Sequence, residues 1–238
     1  MAGPRTLHAF RRLLDYPSEQ TVEACELLYI ILQSELPEAA REISRFGAWL
    51  EGTAPWEWEE AYTATFDVNP ACALEIGWHL FGEEYDRGLL LVRMREELRK
   101  YGVPESGELP DHLTHVLPLI GAMPEGEAKR FVPACVQPAV LKMQAALGRG
   151  DSPYQGVMNA LAAVLGSVWG EGRPLPDGST PHRADGRAVP SGVDLLHAFP
   201  AADVAFECGG CQGECGDQNP APTLVQLEAS GHRDEENL

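Results

Sequence analysis

Residues 62–117 read YTATFDVNPACALEIGWHLFGEEYDRGLLLVRMREELRKYGVPESGELPDHLTHVL, and the spacing of their apolar positions decides the fold. Leu74, Ile76, Trp78 and Leu80, then Leu89, Leu90, Val92, Met94 and Leu98, recur at helical rather than alternating intervals. Gly82 interrupts this run and Gly102 ends it. Arg95, Glu96, Glu97, Arg99 and Lys100 supply i,i+3 and i,i+4 partners for a wet face. Just upstream, Thr53 suits an N-cap and Pro55 a first helical turn, opening a helix that carries Trp56, Trp58, Tyr62 and Phe66.

Working outward, the pattern stays helical. Thr6 is positioned to cap a first helix over residues 7–14, which Asp15, Tyr16 and Pro17 stop. Ser18 caps a second, with Val22, Cys25, Leu28, Tyr29 and Leu32 at helical spacing. Pro37 opens a third, striped by Ile43, Phe46, Trp49 and Leu50 and ending near Gly52. On the far side, Pro110 starts a short helix with Leu113, Val116 and Leu117, limited by Pro118. Short helices follow over residues 127–135 and 137–147. Asp151 or Ser152 then caps a last helix, with Pro153 just inside it and Val157, Leu161, Val164, Leu165 and Val168 on one face. No stretch shows a period of two. The expectation is an all-α protein, with one helical-bundle domain over residues 1–169.

Residues 170–238 differ in character. They hold 10 of the 24 glycines and 7 of the 19 prolines, and only Arg173, Arg183, Arg187 and Arg233 against twelve acidic residues. Such a composition buries too little apolar surface to offset the entropy of ordering, so a largely disordered acidic tail is expected. Two apolar runs, residues 193–199 and 224–227, stand out within it as segments able to dock on the body or on a partner.

The formal charge of -18 argues against nucleic acid and against anionic lipid, both of which call for Lys and Arg. Arg11 and Arg12 are followed by Asp15, Tyr16 and Pro17 rather than an apolar run, so a secretion signal is not expected. No run approaches the roughly 18 apolar residues of a membrane helix. Cys25, Cys72 and Cys135 sit in apolar helical contexts and read as buried thiols rather than a disulfide framework. A cytoplasmic location is expected. No phosphate loop, dinucleotide fingerprint, His-Glu-x-x-His or nucleophile elbow is present, so no enzyme activity is expected.

The pieces Tyr62-x-x-x-Phe66-Asp67, Phe81-Gly82 with Asp86-Arg87-Gly88, and Glu108-Leu109-Pro110-Asp111-His112-Leu113 together resemble the NarJ-type chaperones. These are the respiratory nitrate reductase delta-subunit assembly proteins, within the TorD/DmsD class of redox-enzyme maturation proteins. Leu13 to Pro17 and Asp151 to Tyr154 look similar as well, so the resemblance covers roughly residues 7–169. It implies a helical chaperone without a required cofactor. Its implied partner is the catalytic (alpha) subunit of a nitrate reductase-type molybdoenzyme, held ready for molybdenum cofactor insertion.

The resemblance also implies a client-peptide groove, and it makes Tyr62, Phe66, Asp67, Pro110, Asp111 and His112 the candidate binding residues. Their own chemistry leaves two readings open. Tyr62 and Phe66 lie on one helical face and suit a core, yet the Tyr62 hydroxyl and the Asp67 charge each need a partner or water. Pro110 and Asp111 make a well-formed helix start, with a carboxylate at the positive end of the dipole. That start alone would place Leu109 and Leu113 in the core. If Asp111 and His112 form the groove, alanine at both should weaken client binding without unfolding the domain. His112, His115 and Asp111 also have spacing compatible with a metal.

Cys208, Cys211 and Cys215, separated mainly by glycine, can close around Zn or an iron–sulfur cluster, with a fourth ligand missing locally. They carry the alternative reading: a small metal- or iron–sulfur-binding redox protein in which the helices are scaffold.

Overall fold

A computed structural model of the chain describes residues 3–172. All its regular elements are helical: α1 (Pro4–Leu13), α2 (Glu19–Leu32), α3 (Pro37–Gly52), α4 (Pro55–Tyr62), α5 (Ile76–Phe81), α6 (Tyr85–Lys100), α7 (Leu113–Ala122), α8 (Glu125–Phe131), α9 (Gln137–Leu147) and α10 (Gln155–Trp169). Two five-residue π-turns, Thr63–Asp67 and Val132–Val136, extend α4 and join α8 to α9. The predicted all-α class is what the described residues adopt. Among them, no helix is long and apolar enough to cross a membrane.

The helices pack into one bundle. α1 lies against α2 and α7, α2 against α3, and α10 against both α3 and α9. Phe10, Leu13, Leu28, Ile43, Phe46, Leu50, Leu113, Val116, Leu117, Leu161 and Leu165 meet in a shared core. Burying each such side chain is worth about 1.5–3 kcal/mol, which outweighs local propensity.

α2 and α3 begin and end at the positions the sequence indicates. Thr21 Oγ1 accepts the Ser18 N–H at 3.0 Å, and Pro37 is the first residue of α3. Gly82, at φ 59°, makes the break between α5 and α6 in a conformation that costs other residues free energy. Cys25, Cys72 and Cys135 are all buried.

Other expectations are corrected. Thr6 is buried inside α1, whose N-cap is Gly3. Tyr29 and Val92 face outward rather than into the core. Pro118 does not limit α7 but lies inside it, fully enclosed by the bundle, where packing offsets the missing N–H. α10 starts two residues after Pro153, because the Ser152 hydroxyl takes the Tyr154 N–H and holds a turn there. The predicted break near Cys135 is instead a continuous path. The Gln137 N–H reaches back to the Val132 carbonyl, and this wide turn carries the helix past Pro138, which has no N–H to offer. Most of the predicted tail, residues 173–238, lies outside the described residues, as do Cys208, Cys211 and Cys215.

Candidate functional site

The site begins with an aromatic cluster. Past Tyr62 the backbone widens into the first π-turn, in which the Val68 N–H bonds the Thr63 carbonyl at 3.1 Å. Such turns insert one residue into a helix and re-aim its side chains. Here Phe66 comes edge-on to Tyr62 (5.2 Å between centroids), and both rings meet Tyr154 (4.8 and 5.9 Å). Tyr16, half exposed, stands edge-on to Tyr62 at 5.5 Å. The Tyr62 hydroxyl donates to the Leu14 carbonyl at 3.2 Å, pinning the π-turn to the end of α1, and burial raises its pKa well above the ordinary value. The Tyr154 hydroxyl is buried without a hydrogen-bond partner.

A second support comes from a single antiparallel pairing of Glu75 with His112. The Ile76 N–H bonds the Asp111 carbonyl and the Leu113 N–H bonds the Leu74 carbonyl, both at 3.0 Å. Asp111 does not lie in the first turn of α7, as the sequence suggested. It precedes the N-cap, and its Oδ2 accepts the Gly77 N–H at 2.9 Å, so its carboxylate caps α5 instead. A Cβ at position 77 would stand 2.6 Å from that oxygen and 2.8 Å from Leu90 Cδ2, so only glycine fits. Burial raises the Asp111 carboxyl to about 6, opposed by the Gly77 bond and by nearby Arg87. The Arg87 guanidinium lies over the Trp78 ring at 5.6 Å.

His112 is the N-cap of α7. Its Nδ1 accepts the Thr114 N–H (3.3 Å) and lies 2.6 Å from Thr114 Oγ1. Burial pushes its imidazole down to about 4, so the ring is neutral, with the remaining proton on Nε2. His115 is held by Leu109 and Ser106 (Nδ1 to the carbonyl at 2.9 Å, the Ser106 N–H to Nε2 at 2.9 Å). His79 Nε2 lies 2.7 Å from the Ala73 carbonyl, and burial lowers its pKa to about 4. These histidines serve as local fasteners, and among the described residues no group of His, Cys, Asp and Glu is arranged to hold a metal.

The two supports enclose a pocket of 340 Å³. Tyr16, Tyr62, Phe66, Leu74 and His112 form its walls, and Asp15, Asp67, Glu75 and Glu108 supply four carboxylates. The structure thus brings together Tyr62, Phe66, Asp67 and His112. Pro110 and Asp111 do not line the pocket; both are buried behind it. Leu109, which a simple helix start would bury, is 41% exposed, whereas Leu113 is fully enclosed. Sequence reasoning missed Asp15, Tyr16 and Glu75 as pocket residues. Asp15 and Tyr16 stood out as a helix stop and within the Leu13 to Pro17 piece of the resemblance, but not as binding residues, and nothing local marks Glu75. With an aromatic floor, four carboxylates and one neutral donor, the pocket suits a cationic or amphipathic peptide segment and offers no nucleophile–base pair.

Comparison with known proteins gives the same direction. Residues 32–158, just over half of the chain, match the family model described as nitrate reductase delta subunit. The chain is 28% identical over 161 residues to the nitrate reductase molybdenum cofactor assembly chaperone NarJ of Escherichia coli K12, covering 66% of this chain and 68% of that protein. It is 26% identical over 165 residues to the probable NarJ chaperone of Bacillus subtilis 168, covering 68% of this chain and 89% of that protein. The probable NarW chaperone of E. coli K12 is 24% identical over 156 residues, covering 65% of each chain. The chain belongs to the nitrate reductase delta-subunit family.

Proposed function

We propose that this chain is a system-specific chaperone that binds the catalytic subunit of a nitrate reductase-type molybdoenzyme in its cofactor-free form. It keeps that subunit competent for molybdenum cofactor insertion and for assembly. It is not an enzyme, needs no resident cofactor, and acts in the cytoplasm; the molybdenum cofactor is cargo for its client. Family membership and the named role of the relatives support this reading.

The structural observation that carries it is the 340 Å³ pocket, whose aromatic walls and four carboxylates match a basic, apolar client segment. Apolar contact with Tyr16, Tyr62 and Phe66 supplies affinity, while the half-exposed carboxylates contribute about 0.2–1 kcal/mol each and fix register. Release follows when the client folds around its inserted cofactor and withdraws the segment. The alternative, a redox protein using Cys208, Cys211 and Cys215, has no support from the relatives.

The test is a pull-down with the tagged full chain from its native host without oxygen, followed by mass spectrometry. A large molybdoenzyme subunit in cofactor-free form is the expected prey; its absence would overturn the reading. The site is tested separately. Alanine at Asp111 is a poor probe, since it removes the α5 cap along with any binding role. His112→Asn keeps the N-cap and removes Nε2–H, and is expected to weaken capture while the domain stays folded at the assay temperature, with a modest fall in the unfolding midpoint from the lost ring.

A further inference from the structure

A second recess in the described residues is larger than the polar pocket. It is a groove of 680 Å³ between α9 and α10. Val140, Leu141 and Leu165 form its apolar walls, and Ala162, Ala163 and Gly166 leave room for bulky side chains brought from elsewhere.

One polar side chain in it lacks a partner. Gln137 is 3% exposed; its Nε2 donates to the Gly170 carbonyl at 2.6 Å, but its Oε1 is buried with no donor. A buried acceptor left unpaired is costly, so this oxygen calls for an N–H.

The described chain ends on this same groove. Glu171 and Gly172 line it, and a Cβ on Gly172 would stand 3.0 Å from Gln137 Oε1 and 2.5 Å from Gln137 Cβ. The backbone leaving the body is therefore laid directly over the unpaired oxygen. Sixty-six residues follow Gly172. Among them, residues 193–199 read VDLLHAF, with Leu195 and Phe199 four apart and Val193 and Leu196 beside them. The twenty residues 173–192, treated as flexible coil, reach about 25 Å, comparable to the roughly 22 Å length of α10. A tether this short raises the local concentration of the segment far above that of any free partner. The run 224–227 is shorter, more distant and followed by Glu228, Asp234, Glu235 and Glu236.

We propose that the groove between α9 and α10 is the docking site of the chain's own segment 193–199. The apolar side chains of the segment fill the groove over Ala162, Ala163 and Gly166, and backbone N–H groups beyond Gly172 satisfy Gln137. Docking covers this recess and holds the acidic tail by a fixed anchor. It is independent of the client pocket.

Chymotrypsin cleavage of the full chain tests this. Cuts after Leu195 and Leu196 are expected to be at least tenfold slower than cuts after Phe206 and Leu224 in the same molecule. Ala163→Glu, at an exposed position of α10, should erase the difference, and Ala163→Ser should keep it. A second readout is hydrogen exchange: Leu196→Asp should speed exchange in residues 166–172 about tenfold. Equal cleavage in the wild type, or protection that survives Ala163→Glu, overturns the proposal. So does protection of 224–227 instead, or protection that rises with protein concentration and so comes from a second copy.

Discussion

The polar pocket and the groove between α9 and α10 are built in opposite ways. The pocket gathers Asp15, Tyr62, Leu74 and His112 from four separate segments, and hydrogen bonds hold those segments together: Tyr62 to Leu14, Gly77 to Asp111, Ile76 and Leu113 across the short pairing. The groove needs only two helices adjacent in sequence, packed face to face, and Glu171 is the one carboxylate among the described residues that line it. A site assembled from distant segments fails when one fastener is removed. A site between two packed helices changes only when its own surface does.

The severest way to break that contrast is Gly77→Ala. The new methyl has no space beside Asp111 Oδ2 and Leu90. A loss of about 3 kcal/mol is expected, read as a shifted urea midpoint, with client capture lost. An unshifted midpoint would show that the Asp111 cap does not hold the pocket.

Next comes an acid effect. Asp111 has a folded pKa raised to about 6, so its contribution to stability is full below about 4 and is lost as pH rises through 6. His112 and His79 are depressed from 6.5 to about 4, so theirs are full above 6.5 and are lost as pH falls to 4. Between pH 4 and 6 the carboxyl offsets part of what the histidines lose. Asp111→Asn should therefore fall in stability more steeply than wild type on acidification from pH 6 to 4, by on the order of 2 kcal/mol. Parallel curves for the two proteins would refute the offset.

Neutralising the pocket rim is a smaller change. Asp67→Asn with Glu108→Gln should weaken client capture about tenfold, or roughly 1.4 kcal/mol, and flatten its salt dependence. Binding titrations at two salt concentrations decide it, and Ala163→Glu in the groove should leave the affinity as it is. The smallest effect is expected from serine at Cys208, Cys211 and Cys215 together. Client affinity should not move, and a loss would return the cysteines to the functional reading.

How much of this was legible in the sequence follows from range. The ends of α2 and α3 could be read, because Ser18, Pro37 and Gly52 act on their own turns. Pro118 and Pro153 misled, because one is overridden by packing and the other sits in a turn closed by Ser152. Tyr62, Phe66, Asp67 and His112 were found through short motifs in order. Asp15 and Glu75 were not, since only tertiary contact brings them to the pocket. The true partner of Asp111, a backbone N–H 34 residues away, is equally invisible to local rules.

The first π-turn carries one more consequence, and it concerns phase. An α-helix rotates by about 100° per residue, so a single added residue turns everything before it by about that angle relative to everything after. Without it, α4 would still be a helix of the same composition, still starting at Pro55. Phe66 would no longer lie against both Tyr62 and Tyr154 while Asp67 opens to the rim. Removing one residue between Thr63 and Asp67 would therefore preserve helix content and erase the pocket: here the shape of a cavity is written in the rotational setting of a helix as much as in its side chains.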